Sequence, residues 1–299
     1  MKNNGEKLKK NNFKQLTICI PVFNEEKAIK KVITELKSLF IESEIIVVDD
    51  GSNDNTFDII SNIPDIKIIR NYKNMGYGYS LKRAIKVANG EYVAWFDGDG
   101  QHNPEDLKKM YEEMIKNNYD VVIGSRRKCS HKVKRRILGK FILKFFAQLI
   151  VGQKIPDLNS GLRIFKKEII LKYLHLLPDG FSASSTSTVL MHKKGYYIKY
   201  ADIKTNQRKG KSSVNIIKDG FRSLKLLFNL LILFEAFNFF LILSLLQILP
   251  GLTYGLYVAL RYKRGFPVFA AVLLITGFFT FFIGILAEQI TALRKDKFE

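Results

Sequence analysis

Two uncharged apolar runs constrain this chain more than any other feature: Ala236 to Leu260, 25 residues, and Gly265 to Ala287, 23 residues. A helix that crosses a bilayer needs roughly 20 apolar residues. The pair predicts a transmembrane hairpin over 233–290, because the intervening RYKRG is too short for anything but a return loop. Pro250-Gly251 is expected to kink the first span. A hairpin returns the chain to its starting side, so everything before it shares a compartment with the tail 291–299. Lys218, Arg222, Lys225, Arg294, Lys295 and Lys297 outnumber Arg261, Lys263 and Arg264, which predicts an integral membrane protein whose polar domain faces the cytoplasm.

The formal charge of +20 over 299 residues is uneven. Residues 1 to 125 hold 18 Lys and Arg against 19 Asp and Glu, whereas residues 126 to 299 hold 30 against 9. The basic half is the half with the apolar runs, so the charge reads as attraction to a lipid bilayer and not to nucleic acid. Cys19 and Cys129, the only cysteines, suggest neither a disulfide framework nor a zinc site and fit a reducing compartment. Residues 1–15 are polar and lysine-rich without an apolar core, so they are expected to be a flexible lead-in and not a secretory signal.

Upstream, short apolar runs at 16–20, 44–50, 66–70, 91–97 and 120–125 alternate with helix-like segments at 25–40, 54–62, 77–89 and 104–118. This alternation predicts an α/β domain over 16–214 with a mostly parallel sheet, whose ligands gather at the carboxyl ends of the strands. KRRILGKFILKFFAQLI (134–150) sets Phe141, Phe145 and Leu149 on one helical face and Arg136, Lys140 and Lys144 on another, as an interfacial amphipathic helix does, with a core helix as the competing reading. A weaker repeat of the pattern at 215–232 predicts a juxtamembrane helix.

The chemistry concentrates in WFDGDGQH (95–102). Asp97 and Asp99 flank Gly98 directly after an apolar run, so in an extended turn both carboxylates face one side, where a hard divalent cation takes oxygen ligands. Gln101 offers a further oxygen. The competing reading is a solvated turn before the Asn103-Pro104 helix start. Three more polar segments, PVFNEE (21–26), VVDDGSNDNT (47–56) and KNMGYGYSLKRA (73–84), also follow strands.

With these motifs in place the chain, over roughly 15–225, resembles family-2 glycosyltransferases of GT-A fold, in particular dolichol-phosphate mannose synthases and bacterial polyprenyl-phosphate glycosyltransferases. The resemblance implies a Rossmann-like catalytic domain that takes a UDP- or GDP-sugar donor with Mg2+ or Mn2+. It puts Pro21, Phe23, Glu25, Val48 and Asp50 at the nucleotide, and Asp97, Gly98, Asp99 and Gln101 at the diphosphate and its metal. It puts Arg126 of GSRR at an acceptor phosphate, with Arg135 or Arg136 as a second contact. Asp157, Ser160 and Arg163 of DLNSGLRIF fall in the segment that closes the site, and Arg208 of TNQRKGKSSVN (205–215) is placed on the diphosphate. His102 is expected to support the loop. A homo-oligomer is compatible with the membrane hairpin.

Relatives that glycosylate a hydroxyl carry a catalytic carboxylate where this chain reads GFSASSTSTVLMHKKG (180–195), which has no Asp or Glu. A phosphate monoester, largely ionised at neutral pH, needs no such base. The expected acceptor is therefore a polyprenyl phosphate. A hydroxyl acceptor would require a carboxylate from elsewhere, Asp157 or Asp179. A protein that binds a nucleotide sugar without turnover is the remaining alternative.

Overall fold

The structure, a computed structural model, describes residues 13–126, 137–206, 216–263 and 265–296. Arg135, Arg136 and Arg208 lie outside the described residues. So do Cys129, Arg264, Lys297 and most of the 1–15 lead-in.

Strands β1 (Leu16–Val22), β2 (Glu44–Asp49), β3 (Lys67–Arg70), β4 (Tyr92–Trp95), β5 (Val121–Arg126), β6 (Arg163–Lys166) and β7 (Ile198–Ile203) form one sheet in the order β3-β2-β1-β4-β6-β5-β7. All neighbours pair parallel except β6, which runs antiparallel to β4 and β5. From β1 the chain first builds outward through β2 and β3, then returns to place β4 on the other flank of β1. The carboxyl ends of β1 and β4 therefore border a topological switch point, where open α/β sheets bind ligands. Because β6 is antiparallel, its start at Arg163 lies beside Trp95 and Ile123, so residues 157–162 reach the same edge of the sheet.

The central strand β1 is buried along its whole length, which explains its near-continuous apolar run. Helix α1 (Ile29–Leu39) buries Ile29, Val32, Ile33 and Leu36, the i, i+3, i+4, i+7 pattern that turns one stripe to the core. Each such side chain contributes roughly 1.5–3 kcal/mol. Helices α2 (Thr56–Ser61) and α3 (Tyr77–Val87) follow β2 and β3. Helix α4 (Pro104–Asn117) starts where its sequence says it should: the Asn103 side chain accepts from the Glu105 amide at 3.0 Å, with Pro104 in the first turn. It stops at Asn118, whose φ of 52° is left-handed.

The chain divides into two compact units. The first, Met1–Leu138 with Gln153–Ile216, holds the sheet, α6 (Lys167–Lys172) and α7 (Ala183–Lys193). The second joins Gly139–Gly152, most of α5 (Ile137–Val151), to Ile217–Glu299, which contains α8 (Ile216–Tyr262) and α9 (Val268–Asp296). Within α5, Leu143, Ala147 and Ile150 are buried while Phe145 and Leu149 are exposed.

Two segments, Phe228–Tyr262 and Val268–Leu293, are long and apolar enough to cross a bilayer, and only 17% of the residues in each apolar window are buried. A core helix of a water-soluble protein would be mostly covered, so lipid is the fitting solvent for this surface. The two helices approach through glycines. A Cβ on Gly277 would meet Ile248, one on Gly284 would meet Phe240, and one on Gly251 would meet Leu273. The expected kink at Pro250 is not where helical geometry breaks. The break falls at Glu235, φ −140° and ψ 39°. There the Glu288 carboxylate accepts from the Phe237 amide at 3.3 Å, replacing the carbonyl partner that the break removes. Pro250 sits inside the helix, since a proline in a membrane helix costs only the amide it lacks when neighbours supply the packing.

Candidate active site

Four loops meet at the carboxyl edge of β1, β2, β3 and β4. The turns after β1 and β2 are stitched together: the Asn24 amide donates to Ser52 Oγ at 3.0 Å and the Glu25 amide to Thr56 Oγ1 at 2.8 Å. In return the Asn53 amide donates to Asn24 Oδ1 at 2.9 Å, and Asn24 itself adopts a left-handed φ of 56°. Asparagine tolerates that conformation, which explains its place in PVFNEE. Phe23 is left 38% exposed at the rim, whereas Pro21 and Val48, side by side in β1 and β2, are buried in the sheet.

Asp50 is committed to the fold. Its carboxylate accepts from Asn71 Nδ2 at 2.6 Å, the Met75 amide at 2.9 Å and the Gly76 amide at 2.8 Å, and it is 3% exposed. It shapes the loop after β3, where Gly76 takes a φ of 107°. Beside it an open cleft of about 390 Å³ is lined by Gly51, Ser52, Asn53, Arg70, Asn71 and Tyr72. Arg70 lies 3.9 Å over the Phe57 ring and 3.2 Å from Asp49.

Asp97 is the hub. Tyr77 Oη donates to its Oδ1 at 2.9 Å and His102 Nε2 donates to its Oδ2 at 3.1 Å. Burial alone would raise its pKa, but the hydrogen bonds from His102 and Tyr77 and the charge of Arg163 outweigh that and hold it below the usual carboxylate range. Burial and the neighbouring Asp97 push Tyr77 well above the ordinary phenol, so it remains a proton donor. Gly98 lies against Val22 and Ile29 and Gly161 against the Asp97 carboxylate, each too close to admit a Cβ. Asp99 Oδ1 accepts the Gln101 amide at 3.0 Å. His102 also pairs with Thr205, and the Asn206 amide donates to the Gln101 carbonyl at 2.9 Å, so the turn is clipped to the end of β7.

Among the described residues no group of three or more His, Cys, Asp or Glu side chains could enclose a metal. The carboxylates of the turn keep acceptor sites beyond those these hydrogen bonds use, and one or two carboxylates can offer such sites to a hard cation that substrate phosphates also ligate.

On the other side of Asp97, Arg126 and Asp157 form a two-point ion pair, Nε to Oδ2 at 2.7 Å and Nη2 to Oδ1 at 2.8 Å. The pair raises the Arg126 pKa. Burial opposes ionisation of Asp157, yet its hydrogen bonds from Arg126 prevail and lower its pKa. Arg163, placed by the resemblance in the segment that closes the site, takes a structural position at the start of β6. It is fully buried and spends its donors on the Ser160 and Ser184 carbonyls, Ser187 Oγ and Thr188 Oγ1, with Trp95 at 5.4 Å. Burial brings it down to about 10, so it stays cationic at neutral pH. The serines and threonines of α7 solvate that guanidinium. Ser160 Oγ is buried without a hydrogen-bond partner among the described residues. Tyr77 and Gly161 were not singled out from sequence, though Tyr77 lies within the KNMGYGYSLKRA segment and Gly161 within DLNSGLRIF.

An open sheet with an acidic turn at its switch point, followed in the chain by two long apolar helices, defines a class, an α/β domain with a ligand site at its strand ends and an apolar C-terminal hairpin. Residues 17–174 match the model for glycosyl transferase family 2, and 237–293 match the GtrB C-terminal hairpin. The chain belongs to glycosyl transferase family 2. It is 33% identical over 213 residues to an uncharacterised protein of Methanocaldococcus jannaschii, covering 69% of this chain and 87% of that one. It is 31% identical over 217 residues to the UDP-N-acetylglucosamine–dolichyl-phosphate N-acetylglucosaminyltransferase of Methanococcus voltae, covering 64% and 86%. The GT-A fold is shared with the glucosyl-3-phosphoglycerate synthase of Mycobacterium tuberculosis, solved with Mn2+, uridine diphosphate and phosphoglyceric acid: TM-score 0.59, 17% identity, 73% of this chain and 77% of that one.

Proposed function

We propose that this glycosyltransferase moves one sugar from a nucleoside diphosphate sugar to a polyprenyl phosphate at the membrane surface. The observation that carries the reading is the state of the two carboxylates able to serve a hydroxyl acceptor. Asp157 is held ionised in its pair with Arg126, and Asp179 is paired with Lys82. Neither is a free base, and α7 carries no Asp or Glu. A phosphate monoester dianion brings its own nucleophilic oxygen, so the site needs a cation to orient it and not a base to deprotonate it.

In this reading Arg126 meets the acceptor phosphate, and the loops carrying Phe23, Glu25 and Gly51 receive the nucleoside. The phosphate oxygen attacks the anomeric carbon as the bond to the diphosphate breaks, so an α-linked donor gives a β-linked product. A divalent cation bound through Asp97 and Asp99 would neutralise the charge that grows on the leaving diphosphate. Tyr77 and His102 hold Asp97 ionised and oriented for that task, and Gly161 leaves its carboxylate uncovered by a side chain.

The test is transfer of radiolabel from a panel of UDP- and GDP-sugars into organic-extractable lipid, with purified full-length protein, Mn2+ and a short polyprenyl phosphate. One donor should yield acid-labile lipid label. Asp99→Asn should lower that rate by about 10²–10³-fold and flatten its Mn2+ dependence. Nucleotide binding with no lipid label from any donor would overturn the reading.

A further inference from the structure

Phe181 is 81% exposed, yet nothing about its loop is loose. The Asp179 carbonyl accepts the Tyr79 amide at 3.0 Å, the Leu177 carbonyl accepts Lys82 Nζ at 3.1 Å, and Lys82 also pairs with the Asp179 carboxylate. Gly76 and Gly78 press against the backbone of Pro178 and Asp179 so closely that neither could carry a Cβ. The loop therefore holds Phe181 in place. Its ring stacks on Tyr77, centroids 5.4 Å apart and planes 20° from parallel, and Tyr77 in turn donates to Asp97. One face of the Phe181 ring is thus indexed to the reacting centre and the other is open.

We propose that the open face of Phe181 receives the first isoprene carbons of the acceptor, making it a specificity-determining residue for a lipid-linked phosphate. The inference rests on the acceptor assigned above. A polyprenyl phosphate differs from an aqueous phosphate in one respect, apolar carbon directly beside the anion. A site that selects it needs a cation and an apolar surface close to the same reacting atom. Arg126 and Phe181 are both tied to Asp97: the charge of Asp97 acts on Arg126, and the ring of Phe181 reaches Asp97 through Tyr77. An exposed, rigidly presented phenyl ring is poorly explained by solvent, since water gains nothing from its order.

The experiment compares wild type, Phe181→Leu and Phe181→Ala as full-length proteins, measuring KM for the sugar nucleotide and, separately, for prenyl phosphates of one, two and three isoprene units. Phe181→Ala should raise the acceptor KM roughly tenfold, as for loss of a partial apolar contact, for every acceptor length and with the donor KM unchanged. Phe181→Leu, which keeps apolar area but not the ring, should stay within about threefold of wild type. A rise confined to the donor KM would place the sugar on the ring and overturn the inference. So would equal failure of Leu and Ala, or no change in either variant. Wild type inactive with every prenyl phosphate would instead overturn the acceptor itself, and the inference with it.

Discussion

Acidic residues that look alike in the sequence do different work. Asp50 and Asp97 both follow strands and both carry hydrogen bonds, but Asp50 receives two backbone amides and an asparagine and so builds a loop, while Asp97 receives two side chains and sits partly open. Asp157 is a third kind, a partner that fixes Arg126 in a bidentate fork. Because its folded pKa is depressed, its contribution to stability is present above the unfolded value, about 4, and is lost as the pH falls through the lower folded value. In detergent at pH 7, Asp157→Asn should therefore melt below wild type, because it leaves Arg126 without its counter-charge. As the pH falls below the ordinary carboxylate range the gap should narrow, since protonation of Asp157 removes the ionised pair. A gap that stays constant over that range would show that the pair adds nothing through ionisation.

At the scale of elements, β6 decides the geometry. Four residues long, it inserts antiparallel between β4 and β5 and delivers Gly161 to Asp97 and Arg163 to α7. Strands β1 to β5 were legible to within two residues at each end, because each is an apolar run ending in polar turn residues. β6, β7, α6 and α7 were not. Arg-Ile-Phe-Lys has no alternation long enough to read, and its pairing depends on strands some 40 and 70 residues away in sequence. The acidic turn was legible by its spacing, whereas the convergence of Tyr77, His102 and Gly161 on Asp97 is a product of tertiary packing. Gly161→Ala tests how tightly that packing is drawn. The added methyl group has no room beside the carboxylate, so turnover should fall by roughly 10–10²-fold through a displacement of about 1 Å, while the melting temperature moves little. Gly265→Ala, where a Cβ would meet nothing within 4 Å, should leave both unchanged. Full activity in Gly161→Ala would mean that Asp97 can move without consequence.

For the whole molecule, the reading requires a water-soluble donor and a lipid-embedded acceptor to meet at one surface. In that reading two spans joined by residues 263–267 would bring the chain back across the bilayer, and the sheet and the end of α9 would then face the same side. The glycine-lined contacts of Gly251, Gly277 and Gly284 make the hairpin one unit, and Glu288 closes the break at Glu235 near the end of the spans that leads to the sheet. If the charge bias of the flanks sets orientation, the sheet faces the cytoplasm, which makes a directional prediction. With Cys19 and Cys129 replaced by serine, a cysteine at Lys263 in the return loop should react with a membrane-impermeant maleimide in intact cells. A cysteine at Lys199, on β7, should react only after the membrane is opened. Label at Lys199 in intact cells would invert the topology. Label at both positions would mean that the two apolar helices do not form a spanning hairpin.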